Sequence, residues 1–199
     1  MKKRFFIILL FSQILFIVLI PFLTELTFYL HPLVLGVVWF CYSSLFVYGV
    51  LLFYRRQVAV PLTLIHAITI CYALALLVLL FFRPQGTEFG TINLLPFETI
   101  GFYLSGQVNG LIALYNLSAN VGLFIPFGLY YQYTCKRKPS FWRLLLITSV
   151  TISLIESLQF LTRRGSLDID DLLLNVAGVT IGYFLFPLVY KVIKTARPS

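Results

Sequence analysis

Six apolar runs, each about as long as a bilayer's hydrocarbon core is thick, set the limits on how this chain can fold. They cover roughly Phe5–Leu23, Leu33–Phe53, Leu62–Phe82, Leu111–Tyr133, Phe141–Leu161 and Asp171–Tyr190. None shows the period-2 alternation of a strand, and an open sheet leaves its edge groups unsatisfied in lipid. The expected fold class is all-α: a polytopic membrane helix bundle of about six transmembrane helices. Composition agrees. The chain is 60% hydrophobic and 11% charged, whereas a soluble domain carries about 25% charged residues.

The net charge of +8 sits in short clusters between the apolar runs. That pattern is a topology signal and not a nucleic-acid face, so nucleic acid is not an expected partner. Lys2, Lys3, Arg4, Arg55, Arg56, Lys136, Arg137, Lys138, Arg143, Lys191, Lys194 and Arg197 fall on one side, twelve of the fifteen Lys and Arg. Arg83, Arg163 and Arg164 fall on the other. The positive-inside rule then puts both termini in the cytoplasm, as an even number of spans requires. All seven acidic residues lie at the outer side or just below it. The first run lacks a small-x-small cleavage site and reads as an uncleaved span. The three cysteines are expected to form no disulfide, and no Cys/His metal spacing occurs.

Within this apolar chain, Ser153 to Gly182 concentrates polar residues at helical spacing. Glu156, Gln159 and Arg163 share one face of the fifth span. Asp168, Asp171, Asn175, Gly178 and Gly182 share one face of the sixth. Glu156 lies about 7–8 Å below the outer end of its helix. A carboxylate at that depth costs several kcal/mol unless it is paired, protonated or wetted. It is either a general base or ligand, or a structural partner for Arg163, Arg164 or a neighbouring Asn. Asp168, Asp170 and Asp171 open the last helix, where one of them is expected to cap free N–H groups. Three exceed what a cap needs, so they are also candidate oxygen ligands for a divalent cation, Mg²⁺ or Ca²⁺, or carboxylates that orient Arg163 or Arg164 toward a phosphate.

Asn116 and Asn120 share a face of the fourth span, and Asn175 lies four residues into the last. Amides at such depth bond across helices. Pro126 is expected to bend the fourth span, and Gly178-x-x-x-Gly182 is expected to be a close-packing surface. Arg83, Arg163 and Arg164 are the outer guanidinium groups, able to bind phosphate bidentately or to snorkel to lipid phosphates. The LLPF of the outer connection dips into the interface or covers the hairpin. His31 and His66 are isolated and are assigned no catalytic role.

Four pieces in order, NLLPF (Asn93–Phe97), N-x5-P-x-G (Asn120, Pro126, Gly128), E-x2-Q (Glu156, Gln159) and R-G-S-x-D-x-D-D-x3-N-x2-G (Arg164 to Gly178), resemble the VanZ family. The resemblance covers roughly Leu62 to Tyr190. It divides the chain into two additional N-terminal helices (1–61), a VanZ-like membrane domain (62–190) and a cytoplasmic basic tail (191–199). Members often carry a glycine where this chain has Arg163.

The resemblance implies a protein of the bacterial plasma membrane. The family's founding member is associated with resistance to glycopeptide antibiotics, teicoplanin in particular, and a wider similarity to enzymes acting on lipid head groups has been proposed. Two function classes follow. In the first, an outer-leaflet polar site binds or alters a lipid-linked envelope component and so affects glycopeptide susceptibility. In the second, the protein is an enzyme that modifies or exchanges a lipid head group. There Glu156 serves as general base with Asp171 as the second candidate catalytic carboxylate, and Asp168, Asp170 and Asp171 hold a cation. In both, Arg83, Asn93, Asn120, Gln159, Arg163, Arg164 and Asn175 are candidate binding residues. A transporter is disfavoured, because no inverted repeat is evident and no polar face continues to the cytoplasmic side.

Overall fold

The computed structural model describes residues 2–26, 33–82, 92–135 and 139–196. Its long helices are α1 (Lys2–Leu26), α2 (Leu33–Phe53), α3 (Leu62–Phe81), α5 (Gly110–Thr134), α6 (Phe141–Leu161) and α7 (Ile169–Tyr190), with a short α4 (Glu98–Leu104) between α3 and α5. Five of them contain stretches long and apolar enough to cross a membrane: Phe6–Thr24, Leu62–Phe81, Ile112–Thr134, Phe141–Leu161 and Ile169–Tyr190. Helix α2 is 21 residues long, with Val38–Phe53 as a shorter apolar stretch. Side chains such as Phe6, Leu45, Leu146 and Phe184 are exposed on the outside of the bundle. Apolar groups turned outward are at home only in lipid, so the protein is an all-α, multi-pass membrane protein.

The core lies where α3, α5, α6 and α7 meet, and is built from Leu76, Phe124, Leu144, Ile152 and Val179. Helices α5 and α7 approach most closely. A Cβ added at Gly178 would stand 2.1 Å from the carbonyl oxygen of Val121, and one at Gly182 would stand 2.1 Å from that of Ile125. Gly128 of α5 answers them, with Val179 O at 2.0 Å from its would-be Cβ. Backbone stands against backbone along this seam, so the close-packing role expected of Gly178 and Gly182 is met. Helix α5 runs unbroken through Pro126.

Two short parallel ladders mark the two ends of α7. At its start, β2 (Ile92–Asn93) pairs with β3 (Leu167–Asp168). Beyond its other end, β4 (Ile193–Ala196) pairs with β1 (Val58–Pro61). Residues 193–196 are therefore a strand bound to the segment after α2, where the sequence suggests only a tail. The Tyr48 hydroxyl donates to Leu188 O at 3.0 Å, and the Tyr133 hydroxyl donates to Ile193 O at 2.7 Å, tying the same end together.

Helices α1 and α2 carry a polar knot of their own. Trp39 Nε1 donates to Gln13 Oε1 at 2.7 Å, Gln13 Nε2 donates to Ser43 Oγ at 3.3 Å, and the Tyr42 hydroxyl donates to Ser12 O at 3.2 Å. Interhelical hydrogen bonds of this kind stand in for the hydrophobic driving force that lipid removes.

Candidate functional site

The site is built around the corner between α6 and α7. Helix α6 ends in a Schellman motif: Arg164 N donates to Gln159 O at 2.8 Å and Arg163 N to Phe160 O at 3.0 Å. That motif needs a left-handed residue at its hinge, and Arg163 occupies it at φ +54°. Glycine takes this conformation freely, whereas an arginine is strained by about 1 kcal/mol. Gly165 follows, packed on Gln159, whose Cβ would be 3.2 Å from an added Cβ.

Helix α7 starts with Asp168 as its N-cap, accepting from Asp170 N at 2.9 Å. The same carboxylate accepts from Thr99 Oγ1 at 2.6 Å, and Asn93 Nδ2 donates to that hydroxyl at 3.0 Å. Asp170 is fully buried. It accepts from Phe97 N at 2.6 Å and Ile100 N at 3.0 Å. Phe97 is itself left-handed, at φ +68°. Asn93 Oδ1 accepts from Leu95 N at 3.1 Å and shapes the turn. Asn93, Thr99, Asp168 and Asp170 thus form a latch that fastens residues 92–104 to the corner. Leu94, Leu95, Phe97, Phe102 and Leu104 remain exposed on this segment. The segment meets the hairpin through its backbone and the Thr99 hydroxyl and leaves these apolar side chains exposed.

The three aspartates proposed as cation ligands are turned to other partners. Asp168 and Asp170 spend their carboxylates on the latch, and Asp171 Oδ1 accepts from Asn120 Nδ2 at 2.6 Å. Among the described residues, no group of three or more His, Cys, Asp or Glu is placed to hold a metal ion. As they stand among the described residues, these committed carboxylates do not fit a divalent cation.

Glu156 is the exception to this pattern of satisfied groups. It is 7% exposed, on the buried stripe Leu144, Thr148, Ile152, Glu156 of α6. Asp171 and Asp168 act on it through their charge. Its Oε1 is buried with no hydrogen-bond partner among the described residues, and the same holds for Asn175 Oδ1. Among the described residues Glu156 forms no ion pair with Arg163 or Arg164, one of the alternatives the sequence offers. Arg163 and Arg164 are exposed, and the Arg164 guanidinium lies 5.6 Å from the centre of the Phe82 ring. Gln159 is turned to another task, donating to Leu80 O at 2.9 Å and so holding the end of α3. His66 contacts the Tyr130 hydroxyl at 2.8 Å, which gives it a structural role. Arg83 lies outside the described residues.

Thr99 was not singled out from the sequence. Threonine in the first turn of a helix is ordinary, and only the tertiary contact with Asp168 and Asn93 distinguishes it.

A helical bundle that crosses a membrane several times and encloses carboxylates and amides near one end is a polytopic membrane protein with an intramembrane polar site. Residues 69–190 match the VanZ/LLP1 family model, and the chain belongs to that family. The matched span runs from within α3 through α7 and contains every element of the corner. No curated protein and no solved structure matches the chain.

Proposed function

We propose that the protein sits in the bacterial plasma membrane with both termini in the cytoplasm and the α6–α7 corner in the outer leaflet. There it binds a head group of a membrane lipid or lipid-linked envelope precursor, and this changes susceptibility to glycopeptides of the teicoplanin type. The observation that carries this reading is Glu156: a buried carboxylate on a membrane helix, with an unpartnered oxygen, under the charge of two aspartates. An intramembrane ionisable group left in that state is retained for something other than stability. Exposed at the corner, Arg163 and Arg164 support this reading, because guanidinium groups bind phosphates by bidentate hydrogen bonds.

A second reading makes the protein an enzyme acting on the head group. The grouping of Glu156 with Asp171 favours it, since one carboxylate with a free oxygen can take a proton while its neighbour sets its charge state. One comparison separates the two. Wild type and Glu156→Gln are expressed at matched levels in one host, and both glycopeptide susceptibility and the lipid profile by mass spectrometry are read. Loss of the susceptibility change with unchanged lipids is the result expected for binding. A head-group species that appears with wild type and vanishes with the variant establishes the enzyme. If wild type alters neither readout, the proposal is wrong.

A further inference from the structure

The two unpartnered atoms of the corner belong to facing helices at one level. Ile152 of α6 and Val179 of α7 share the core cluster. One turn toward the corner from each stand Glu156 and Asn175, because α6 and α7 run in opposite directions and residues four apart stack on one face. Glu156 lies about 7–8 Å and Asn175 about 9 Å from their respective helix ends at the corner, by a rise of about 1.5 Å per residue. Glu156 is 7% and Asn175 6% exposed, and Glu156 Oε1 and Asn175 Oδ1 are both acceptors without a donor among the described residues. The next turn up carries Asp171, whose charge acts on Glu156.

The chemistry of such a pair is selective. Two buried, unpartnered acceptors at one level of neighbouring helices call for a group made of donors, and the aspartates near them call for a positive one. A metal ion is a poor match, since Mg²⁺ and Ca²⁺ take at least six oxygen ligands and the nearby Asp168 and Asp170 are committed to the latch. An ammonium needs less: three N–H donors and no acceptor. We propose that Glu156 and Asn175 hold the primary ammonium of an aminated head group, which donates to Glu156 Oε1 and Asn175 Oδ1. The inference rests on the head-group reading above and names the part of the head group that enters. Phosphate contacts, where made, fall to the exposed arginines of the corner. The same ammonium can come from a lipid or from a free amine, and the test separates these.

The full chain is purified in detergent and its thermal unfolding is followed with added phosphatidylethanolamine, phosphatidylglycerol, phosphatidylcholine, free ethanolamine or Mg²⁺. Phosphatidylethanolamine at saturation is expected to raise the wild-type Tm by about 5 °C. Phosphatidylglycerol lacks the ammonium and phosphatidylcholine has no N–H on its nitrogen, so both should leave Tm unchanged. Glu156→Gln should abolish the shift. Asn175→Ala, which removes the second acceptor without touching the carboxylate, should reduce it, with an unliganded Tm measured for each variant as the control for folding. If ethanolamine alone matches the lipid, the ammonium site stands and its source is a soluble amine. If phosphatidylglycerol or phosphatidylcholine shifts wild type as much and Glu156→Gln abolishes that shift, the head-group site stands and the ammonium inference is overturned. A shift with Mg²⁺ but none with phosphatidylethanolamine overturns it in favour of a metal. If no lipid shifts wild type, or Glu156→Gln shifts equally, both readings fall.

Discussion

Along α7, the turns next to the corner and the turns beyond Asn175 meet their neighbours by opposite means. Near the corner the contacts are polar: Asp168 and Asp170 hold residues 92–104, and Asp171 holds Asn120 of α5. Beyond it, Gly178 and Gly182 let α7 press its backbone against the carbonyls of Val121 and Ile125. Glycines serve the second region because van der Waals contact in lipid strengthens only as helices come closer. Carboxylates serve the first because they accept backbone N–H groups that have no other partner at a chain reversal. Between the regions lie Glu156 and Asn175, which belong to neither scheme. The contrast separates groups that hold the fold from groups with a buried oxygen that has no partner among the described residues.

The seam should be the harder region to alter. Gly182→Val places a branched side chain where a Cβ already stands 2.1 Å from a backbone oxygen. It is expected to cost about 3 kcal/mol and lower the thermal unfolding midpoint accordingly. Gly122→Ala on α5, with nothing within 4 Å of the added Cβ, should leave the midpoint unchanged or raise it. Equal losses at both positions would break the distinction.

The latch comes next. Asp170→Ala leaves the N–H groups of Phe97 and Ile100 without their acceptor. A loss of about 2–3 kcal/mol is expected, together with new protease cleavage within residues 92–104. Wild-type resistance in that segment would show that something other than Asp170 fastens it. Asn120→Leu removes one donor from Asp171 and should cost about 1–2 kcal/mol in the same unfolding assay.

Two substitutions should act in the other direction. Arg163→Gly relieves the left-handed strain at φ +54°, with an expected gain of about 1 kcal/mol. Glu156→Gln sharpens the comparison most while moving stability least. It replaces a buried carboxyl group whose Oε1 has no partner among the described residues, so stability should hold or rise by up to about 1 kcal/mol. The antibiotic or lipid phenotype should be lost all the same. A loss of stability as large as that of Asp170→Ala would make Glu156 a structural residue.

How much of this was legible beforehand differs by residue. The span positions follow from apolar run length alone, because lipid permits little else. The glycine pair on α7 follows from spacing. Glu156 announces itself as a charge in an apolar run. The aspartates show the limit. DxDD at a helix start suits a cap, a latch or a cation equally well, and the choice rests on which backbone N–H groups the chain brings near. Those belong to Phe97 and Ile100, some seventy residues earlier. The strand Ile193–Ala196 is hidden for a related reason, since its partner Val58–Pro61 lies far back in the sequence, between α2 and α3.

By itself the sequence determines that this chain is a multi-pass membrane protein and that a carboxyl residue lies within one of its apolar runs. These depend on transfer of side chains from water to lipid, a property each segment carries alone. The tertiary structure decides which polar groups are spent and which are spare, because a hydrogen bond belongs to two partners and the second is set by the fold. Asp170 is matched and Glu156 Oε1 is not, though both are carboxylates buried in the same corner.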